Sequence, residues 1–258
     1  MIDLHAHILP GLDDGPPDME TALAMCRIAV EQETTLVVAT PHMLDGTYDV
    51  SREQVLDGVR ALQAELDERR IALKIAPGAD VRIAVDLSDQ LRHGTVMTVA
   101  DGGKYVMVEL PQDVLPQRLS ECFFSVQLLG LTPIISHPER NYEVQNHPEL
   151  LNALAESGNV IQITAASLLG RFGEAAAKCA HELLARRLAH VVASDAHSPD
   201  RRPPGLAEAR RAVEDVLPSA EIEEVFVRRP QRIVEGQYVE LPEPCEGAAA
   251  RRRRWFPW

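Results

Sequence analysis

Histidine and carboxylate residues stand at the carboxyl ends of short apolar segments along most of the chain. The first such segment ends in a His-x-His pair, His5 and His7, and the sequence DDG follows a few residues later. The other candidates lie beyond this segment and at the ends of five further ones: Asp14, His42, Asp80, Glu109, His137, Asp195 and His197. Imidazole and carboxylate ligands without thiolate suit Mn, Fe, Zn or Mg. The pattern predicts a multinuclear site for divalent metal ions.

Seven apolar segments carry these residues, and each is rich in Val, Ile or Leu, as strands buried on both faces are. Stretches with helical periodicity separate most of them, for example Met19–Glu31 behind the N-cap candidate Asp18, and residues 54–69. The predicted strands are residues 1–5, 35–40, 72–77, 104–110, 132–137, 159–164 and 190–195. The alternation predicts a single-domain α/β fold, a distorted (β/α)7 TIM-like barrel rather than an open doubly wound sheet.

A parallel barrel would bring the candidate ligands together. The carboxyl ends of its strands converge on one face, where such folds keep their active sites. His5 and His7 lie two positions apart on one strand, so their side chains point to the same side. Titratable residues at six of seven strand ends are therefore better explained by one shared site than by unrelated core or surface residues. The remaining histidines, His93, His147, His181 and His190, fall outside this pattern.

Composition narrows the class of function. The 258 residues carry a formal net charge of −13, which argues against a surface for nucleic-acid backbone. Neither a secretory leader nor an apolar run long enough to span a membrane is recognisable. The four cysteines are scattered without a C-x-x-C pair, as is typical of reduced thiols. We therefore expect a cytoplasmic protein with no membrane span.

The C-terminal segment differs from the rest. We expect the barrel to occupy residues 1–236, and residues 237–258 to form a turn followed by a flexible Arg/Trp-rich tail. The arginines at 251–254 and the aromatic residues after them could contact anionic lipid or an acidic partner, or could simply be disordered. Cys245 and Arg251 have the Cys-x5-Arg spacing of cysteine-dependent phosphatases. That mechanism needs a strand before the cysteine and a helix after it, so we do not expect Cys245 to act as a nucleophile.

Several motifs together carry a family resemblance: MIDLHAHILPGLDDGP, ATPH, PGAD, VMVELP, PIISHPERN and VVASDAHSPDRRPP. They resemble the polymerase-and-histidinol-phosphatase (PHP) superfamily. More narrowly, they resemble the bacterial manganese-dependent tyrosine-protein phosphatases that accompany capsule and exopolysaccharide kinases. The similarity runs from Met1 to Gly236. The combination of H-P-E-R with S-D-x-H and R-P-P is more specific to the tyrosine-phosphatase branch than the opening D-x-H-x-H motif.

The resemblance implies a trinuclear site, with Mn²⁺ as the expected metal. It assigns the ligands as His5, His7, Asp80 and Asp195 for one ion, Asp80, Glu109 and His137 for a second, and Asp14, His42 and His197 for a third. Arg140 and Arg202 match the phosphate-binding arginines of the family. Asp80 departs from the family pattern, which usually has glutamate there. The side chain is then shorter by about 1.5 Å.

The implied activity is hydrolysis of phosphotyrosine by a metal-activated water. The implied substrate is a membrane-associated bacterial tyrosine kinase that regulates capsule or exopolysaccharide synthesis. A phosphatase for a small metabolite such as histidinol phosphate is the alternative, although such relatives often carry histidine where this chain has Glu109. A PHP nuclease is disfavoured by the acidic charge.

Overall fold

The computed structural model describes residues 1–48 and 50–245, and these form nine strands. Each of the seven predicted strands is present, and the second and third continue after a short break as two additional strands. The strands are β1 (Ile2–Ala6), β2 (Leu36–Ala39), β3 (His42–Met43), β4 (Lys74–Pro77), β5 (Asp80–Arg82), β6 (Tyr105–Glu109), β7 (Thr132–Ser136), β8 (Val160–Thr164) and β9 (Val191–Ala193).

Helices follow most strands and cover the outside of the sheet. Their bounds are α1 (Met19–Glu31), α2 (Arg52–Glu68), α3 (Leu87–Arg92), α4 (Leu119–Gln127), α5 (Tyr142–Asn146), α6 (Asn152–Glu156), α7 (Ala165–Leu168), α8 (Glu174–Ala185), α9 (Leu206–Ala212), α10 (Ser219–Glu223) and α11 (Arg229–Val234). The predicted first helix is confirmed, and the Asp18 carboxylate caps it by accepting the Thr21 N–H at 2.8 Å. Helix α2 begins earlier than predicted because Ser51 and Gln54 form a capping box.

All strand pairs are parallel, and the sheet closes on itself. One set of strands has the order β1-β2-β4 and the other the order β3-β5-β6-β7-β8-β9. The two ends meet where the His7 N–H donates to the Ala196 carbonyl and the Asp195 N–H to the His5 carbonyl, each at 2.8 Å. The predicted distorted (β/α)7 barrel is therefore confirmed, and the distortion lies where β4 gives way to β5.

Gly78 occupies the break between β4 and β5. A Cβ atom at this position would lie 2.6 Å from Cγ1 of Val38 and 3.3 Å from the carbonyl oxygen of Ala39. The chain at Gly78 lies so close to β2 that any larger residue would have to displace atoms of β2. The chain then re-enters the sheet at Asp80, which pairs with His42 across β3 and β5.

Two clusters of buried apolar residues form the core, and the smaller one includes residues near the C-terminus. Ile233 of α11 and Val239 lie in it together with Leu4 and Met107 from the strands. The Tyr105 hydroxyl also donates to the carbonyl oxygen of residue 237 at 2.6 Å. The first part of the expected C-terminal segment therefore packs against the barrel. Residues 246–258, which include the predicted Arg/Trp-rich tail, lie outside the described residues.

In the described part of the chain, none of the helices combines the length and the apolar character needed to cross a bilayer. The four cysteines are free thiols.

His190, which precedes β9, is fully buried, and its Nδ1 accepts the Ile161 N–H at 3.0 Å. Burial, together with the nearby Arg229 guanidinium, lowers the pKa of His190 to about 3. An unfolded histidine titrates near pH ~6.5. Between these two values the unfolded chain takes up a proton that the folded chain does not, so the free energy of unfolding falls as the pH falls through this range.

We therefore expect acidification to destabilise the wild type more than a His190→Asn variant, whose amide still offers an acceptor to Ile161. Between about pH 7 and about pH 5 the wild type should lose about 2 kcal/mol more than the variant. Urea denaturation of both proteins at the two pH values measures this difference. Equal losses would show that His190 is not held in its neutral form by the fold.

Candidate metal centre

The predicted metal ligands all lie at the face formed by the carboxyl ends of the strands. Their donor atoms form four overlapping groups, and within each group the atoms lie within 4.8 Å of one another. The groups are His7/Asp14/His42/His197, His5/His7/Asp80, His5/His137/Asp195 and His42/Asp80/Glu109. The barrel therefore brings together every candidate that was chosen from the strand ends.

The innermost part of the centre contains His5, His7 and Asp195. Nε2 of His5 lies 3.2 Å from Nε2 of His7 and 3.4 Å from Oδ1 of Asp195. Nε2 of His7 lies 3.6 Å from the same carboxylate oxygen. Ligand atoms bound tetrahedrally to one cation at about 2.1 Å would be separated by roughly 3.4 Å. The three donors are spaced as ligands of a single ion would be.

Asp80 is fully buried and its two oxygens have different surroundings. Oδ1 accepts the Ser136 hydroxyl at 2.9 Å. Oδ2 has no hydrogen-bond donor among the described residues, yet it lies 3.6 Å from Nε2 of His5, 3.7 Å from Nε2 of His137 and 4.0 Å from Nδ1 of His42. A buried carboxylate oxygen without a donor is unfavourable unless a cation satisfies it. This oxygen therefore fits a metal ion.

The charge state of Asp80 fits the same interpretation. Burial by itself would raise the pKa of this carboxyl, but the imidazoles of His5 and His137 outweigh burial and lower it below the ordinary value. The side chain is thus an anion at neutral pH. Anionic carboxylates are the form that binds divalent cations.

The outer parts of the centre lie nearer the solvent. Oδ1 of Asp14 lies 3.3 Å from Nε2 of His197 and 3.6 Å from Nε2 of His42, and the Asp14 side chain is 43% exposed. On the other side, Oε1 of Glu109 lies 3.9 Å from Nε2 of His137. Asp14, His42 and His197 thus lie in one group, which also contains His7, whereas Glu109 shares a group with His42 and Asp80.

Partners that the ligand prediction did not include orient the imidazoles. Nδ1 of His7 donates to Oδ2 of Asp13 at 2.6 Å, and Nδ1 of His5 contacts Oε1 of Gln162 at 3.0 Å. These contacts leave each Nε2 facing the centre, as is usual for metal-binding histidines. Burial, together with nearby His197, also lowers the pKa of His7 to about 4, so its imidazole is neutral. Asp13 could have been found from its place in the DDG sequence, whereas nothing in the sequence marked Gln162.

Arg140 and Arg202 lie together at the margin of the centre. Nη1 of Arg140 and Nη2 of Arg202 donate to the same oxygen, Oδ2 of Asp195, at 2.6 and 2.5 Å. Burial would raise the pKa of Asp195, but His5 and Arg202 hold it well below its usual range. The two arginines chosen from the sequence thus form one cationic group, attached to the side of Asp195 that faces away from His5.

Cys245 lies at the opposite end of the barrel from this centre. Its thiol donates to the carbonyl oxygen of Ala185, at the end of α8, and its N–H donates to that of Arg186. The expectation that Cys245 is not a nucleophile agrees with this position. Arg251, its sequence partner, lies outside the described residues.

The fold and the centre define a parallel seven-unit α/β barrel whose active face carries a cluster of histidines and carboxylates with two adjacent arginines. The chain belongs to the CpsB/CapC family of capsular polysaccharide synthesis, whose model matches residues 1–235. The resemblance found in the sequence motifs is thereby confirmed.

Individual relatives from this comparison are named tyrosine-protein phosphatases. The chain is 38% identical over 198 residues to the tyrosine-protein phosphatase YwqE of Bacillus subtilis, covering 77% of this chain and 78% of YwqE. It is 29% identical over 244 residues to the tyrosine-protein phosphatase CpsB of Streptococcus pneumoniae, covering 93% of this chain and 100% of CpsB.

Solved structures agree with the fold. A chain from the crystal structures of YwqE from Bacillus subtilis and CpsB from Streptococcus pneumoniae, described as unique metal-dependent tyrosine phosphatases, superposes with a TM-score of 0.91 and 34% identity. The match covers 95% of this chain and 98% of that chain. An amidohydrolase structure superposes with a TM-score of 0.50 at 11% identity over 91% of this chain and 99% of that chain, a likeness of fold alone.

Asp80 provides a test of the centre. Because Oδ2 lies fully buried among three histidines, Asp80→Asn should lower metal content more than Asp14→Asn, which changes a half-exposed carboxylate. Asp80→Glu keeps the carboxylate on a longer side chain and should stay folded and metal-binding with altered metal preference. Elemental analysis of purified proteins, with circular dichroism as the folding control, measures these effects. The same metal stoichiometry in the wild type and all three variants would remove Asp80 from the centre.

Proposed function

We propose that this protein is a metal-dependent protein-tyrosine phosphatase that hydrolyses phosphotyrosine monoesters. The observation that carries the proposal is the arrangement around Asp195. Its Oδ1 lies among the histidines of the centre, while its Oδ2 binds both arginines. A site for cations and a site for a phosphate anion therefore adjoin across one side chain. Membership of a family whose relatives are named tyrosine-protein phosphatases supports the same conclusion.

The centre is proposed to hold three divalent ions, with Mn²⁺ as the preferred metal. The proposed ligands are His5, His7, Asp80 and Asp195 for the first, Asp80, Glu109 and His137 for the second, and Asp14, His42 and His197 for the third. The orphaned oxygen of Asp80 and the spacing of the donor atoms support this assignment. Divalent cations held there would supply Lewis acidity, neutralising charge on phosphoryl oxygens and lowering the pKa of water.

The residues of the chain itself bind and orient the substrate. Arg140 and Arg202 present planar guanidinium groups that can hold two phosphoryl oxygens, since both side chains remain about a quarter exposed, at 29% and 27%. Asp13 and Gln162 keep the Nδ1 protons of His7 and His5 on the far side of the rings. A tyrosyl leaving group has a pKa near ~10 and leaves with less protonation than an alkoxide would need. This suits a site without a dedicated general acid.

The substrate, location and extent of the enzyme are also proposals. A phosphotyrosine protein, in particular a membrane-associated bacterial tyrosine kinase of capsule or exopolysaccharide synthesis, is the partner we infer from the family. A cytoplasmic location rests on the scattered cysteines of the sequence. We assign catalysis to residues 1–236, and we infer that residues 237–258 form a C-terminal turn followed by an Arg/Trp-rich tail.

Metal removal tests the function. Chelation should abolish hydrolysis of phosphotyrosyl peptides and added Mn²⁺ should restore it, because all proposed ligands are imidazoles or carboxylates. Turnover of histidinol phosphate by the same preparation measures the alternative metabolite activity, and we expect it to be much slower. Cys245→Ser should retain the wild-type rate, since Cys245 lies at the other end of the barrel. Full activity of protein shown to be metal-free, or loss of activity in Cys245→Ser, would refute the mechanism.

The arginines can be tested separately. Arg140→Ala and Arg202→Ala should each reduce kcat/KM by ~10²-fold or more, as removal of an electrostatic stabiliser commonly does. Lysine should rescue either only in part because a point charge cannot make the two-pronged contact. Arg171→Ala is the matched control, since Arg171 is an exposed neighbour paired with Glu208. Metal content is measured on each variant as well. Unchanged metal content indicates that only phosphate binding is lost, whereas reduced metal content indicates that Asp195 has moved. Wild-type kinetics in both alanine variants would exclude these residues from the site.

A further inference from the structure

Phe172 lies beneath both arginines of the centre. The guanidinium carbon of Arg140 is 4.5 Å from the centroid of the Phe172 ring, and that of Arg202 is 5.5 Å from it. Both distances fall within the range of a cation–π contact. One aromatic ring therefore contacts both residues that the proposed function assigns to phosphate binding.

The position of Phe172 is not explained by core packing. The side chain is half-buried, and within residues 1–48 and 50–245 it belongs to neither hydrophobic cluster and is not among the residues packed against them. Phenylalanine is also scarce, with 5 in the chain. A role in contact with the arginines accounts for an aromatic ring at this place better than a role in the core does.

The positive charges of Arg140 and Arg202 repel each other, so an attractive contact is needed to keep the two side chains together. Both donate to the single oxygen Oδ2 of Asp195, so two positive charges lie side by side against one negative charge. The excess positive charge favours separation of the two side chains. The negative face of an aromatic ring attracts both cations without taking up any of their hydrogen-bond donors. Donors left in this way remain available for phosphoryl oxygens.

The loop that carries Phe172 is firmly held. Gly170 and Gly173 flank it with φ of +73° and +88°, which suits glycine, and the Arg171 N–H donates to the Ala166 carbonyl at 2.9 Å. The preceding helix, α7, is tied to the segment of Arg140. Oε1 of the fully buried Glu139 accepts the Ser167 hydroxyl at 2.7 Å and the Thr164 N–H at 2.9 Å. Hydrogen bonds thus link the segment that precedes Phe172 to the segment of Arg140.

We propose that Phe172 is a positioning residue, which holds Arg140 and Arg202 side by side in the orientation that binds a phosphoryl group. The inference rests on the proposed function, because it assigns Phe172 a role through the two arginines. It does not require Phe172 to touch the substrate.

The experiment compares Phe172→Leu, which removes the aromatic face, with Phe172→Tyr, which keeps it. Phe124→Leu is the matched control, because Phe124 is 60% exposed on α4, outside the centre. Binding of inorganic phosphate to Mn²⁺-loaded protein is measured by calorimetry, together with KM and kcat on a phosphotyrosyl peptide, metal content and Tm. We expect Phe172→Leu to weaken phosphate binding and raise KM by roughly 5- to 20-fold, with metal content unchanged, and Phe172→Tyr to stay near wild type.

A double-mutant cycle distinguishes action through the arginines from any other effect. In the Arg140→Ala/Arg202→Ala background, Phe172→Leu should change kcat/KM by less than about twofold, because the groups it positions are absent. Three results would overturn the inference: wild-type phosphate affinity in Phe172→Leu, an equal loss in Phe172→Tyr, or an undiminished effect of Phe172→Leu without the arginines. An inactive wild type would instead refute the proposed function, while phosphate calorimetry would still test Phe172.

Discussion

The structure depends on the burial of two carboxylates, Asp80 and Asp195, among the imidazoles at one end of the barrel. An isolated charge in such surroundings would cost several kcal/mol. Asp195 is compensated within the chain by Arg140 and Arg202, whereas Oδ2 of Asp80 has no donor among the described residues. Compensation by cations bound between the carboxylates and the imidazoles explains how such a cluster can be stable. Binding of cations also explains why the cluster consists of imidazoles and carboxylates, which are ligands that divalent ions accept.

The irregularities of the barrel follow from the same requirement. Strands β2 and β4 are interrupted. Their short continuations, β3 and β5, begin at His42 and Asp80, which are paired with each other. Gly78 permits the close approach of the strands that precedes Asp80. Asp80 thus enters the sheet opposite His42, and its Oδ2 lies among three histidines.

Asp195 lies between the proposed metal site and the proposed phosphate site. One of its oxygens faces the histidines, and the other binds the arginines that stack on Phe172. The φ of Asp195 is +50°, a left-handed conformation that aspartate tolerates better than most residues. Such local strain is often found at functional sites. Any displacement of Asp195 would therefore disturb its contacts with the histidines and with the arginines together.

The sequence by itself determined the barrel and the identity of the candidate ligands. Runs of Val, Ile and Leu predict strands buried on both faces, and a parallel barrel must bring their carboxyl ends together. His5, His42, His137 and Asp195 could therefore be grouped without knowledge of any distance. The close approach of Gly78 to Val38 at one strand break could not be predicted, because the two residues lie in separate segments.

Only the tertiary structure decided which partners orient and compensate those ligands. Gln162 binds His5 from 157 positions away, and both arginines converge on one oxygen of Asp195. Phe172 follows a helix with no recognisable motif, yet its ring supports both arginines. Periodicity fixes which side of its own strand a residue faces, but it says nothing about which residue of another element lies opposite. That pairing depends on how the strands and loops pack in three dimensions.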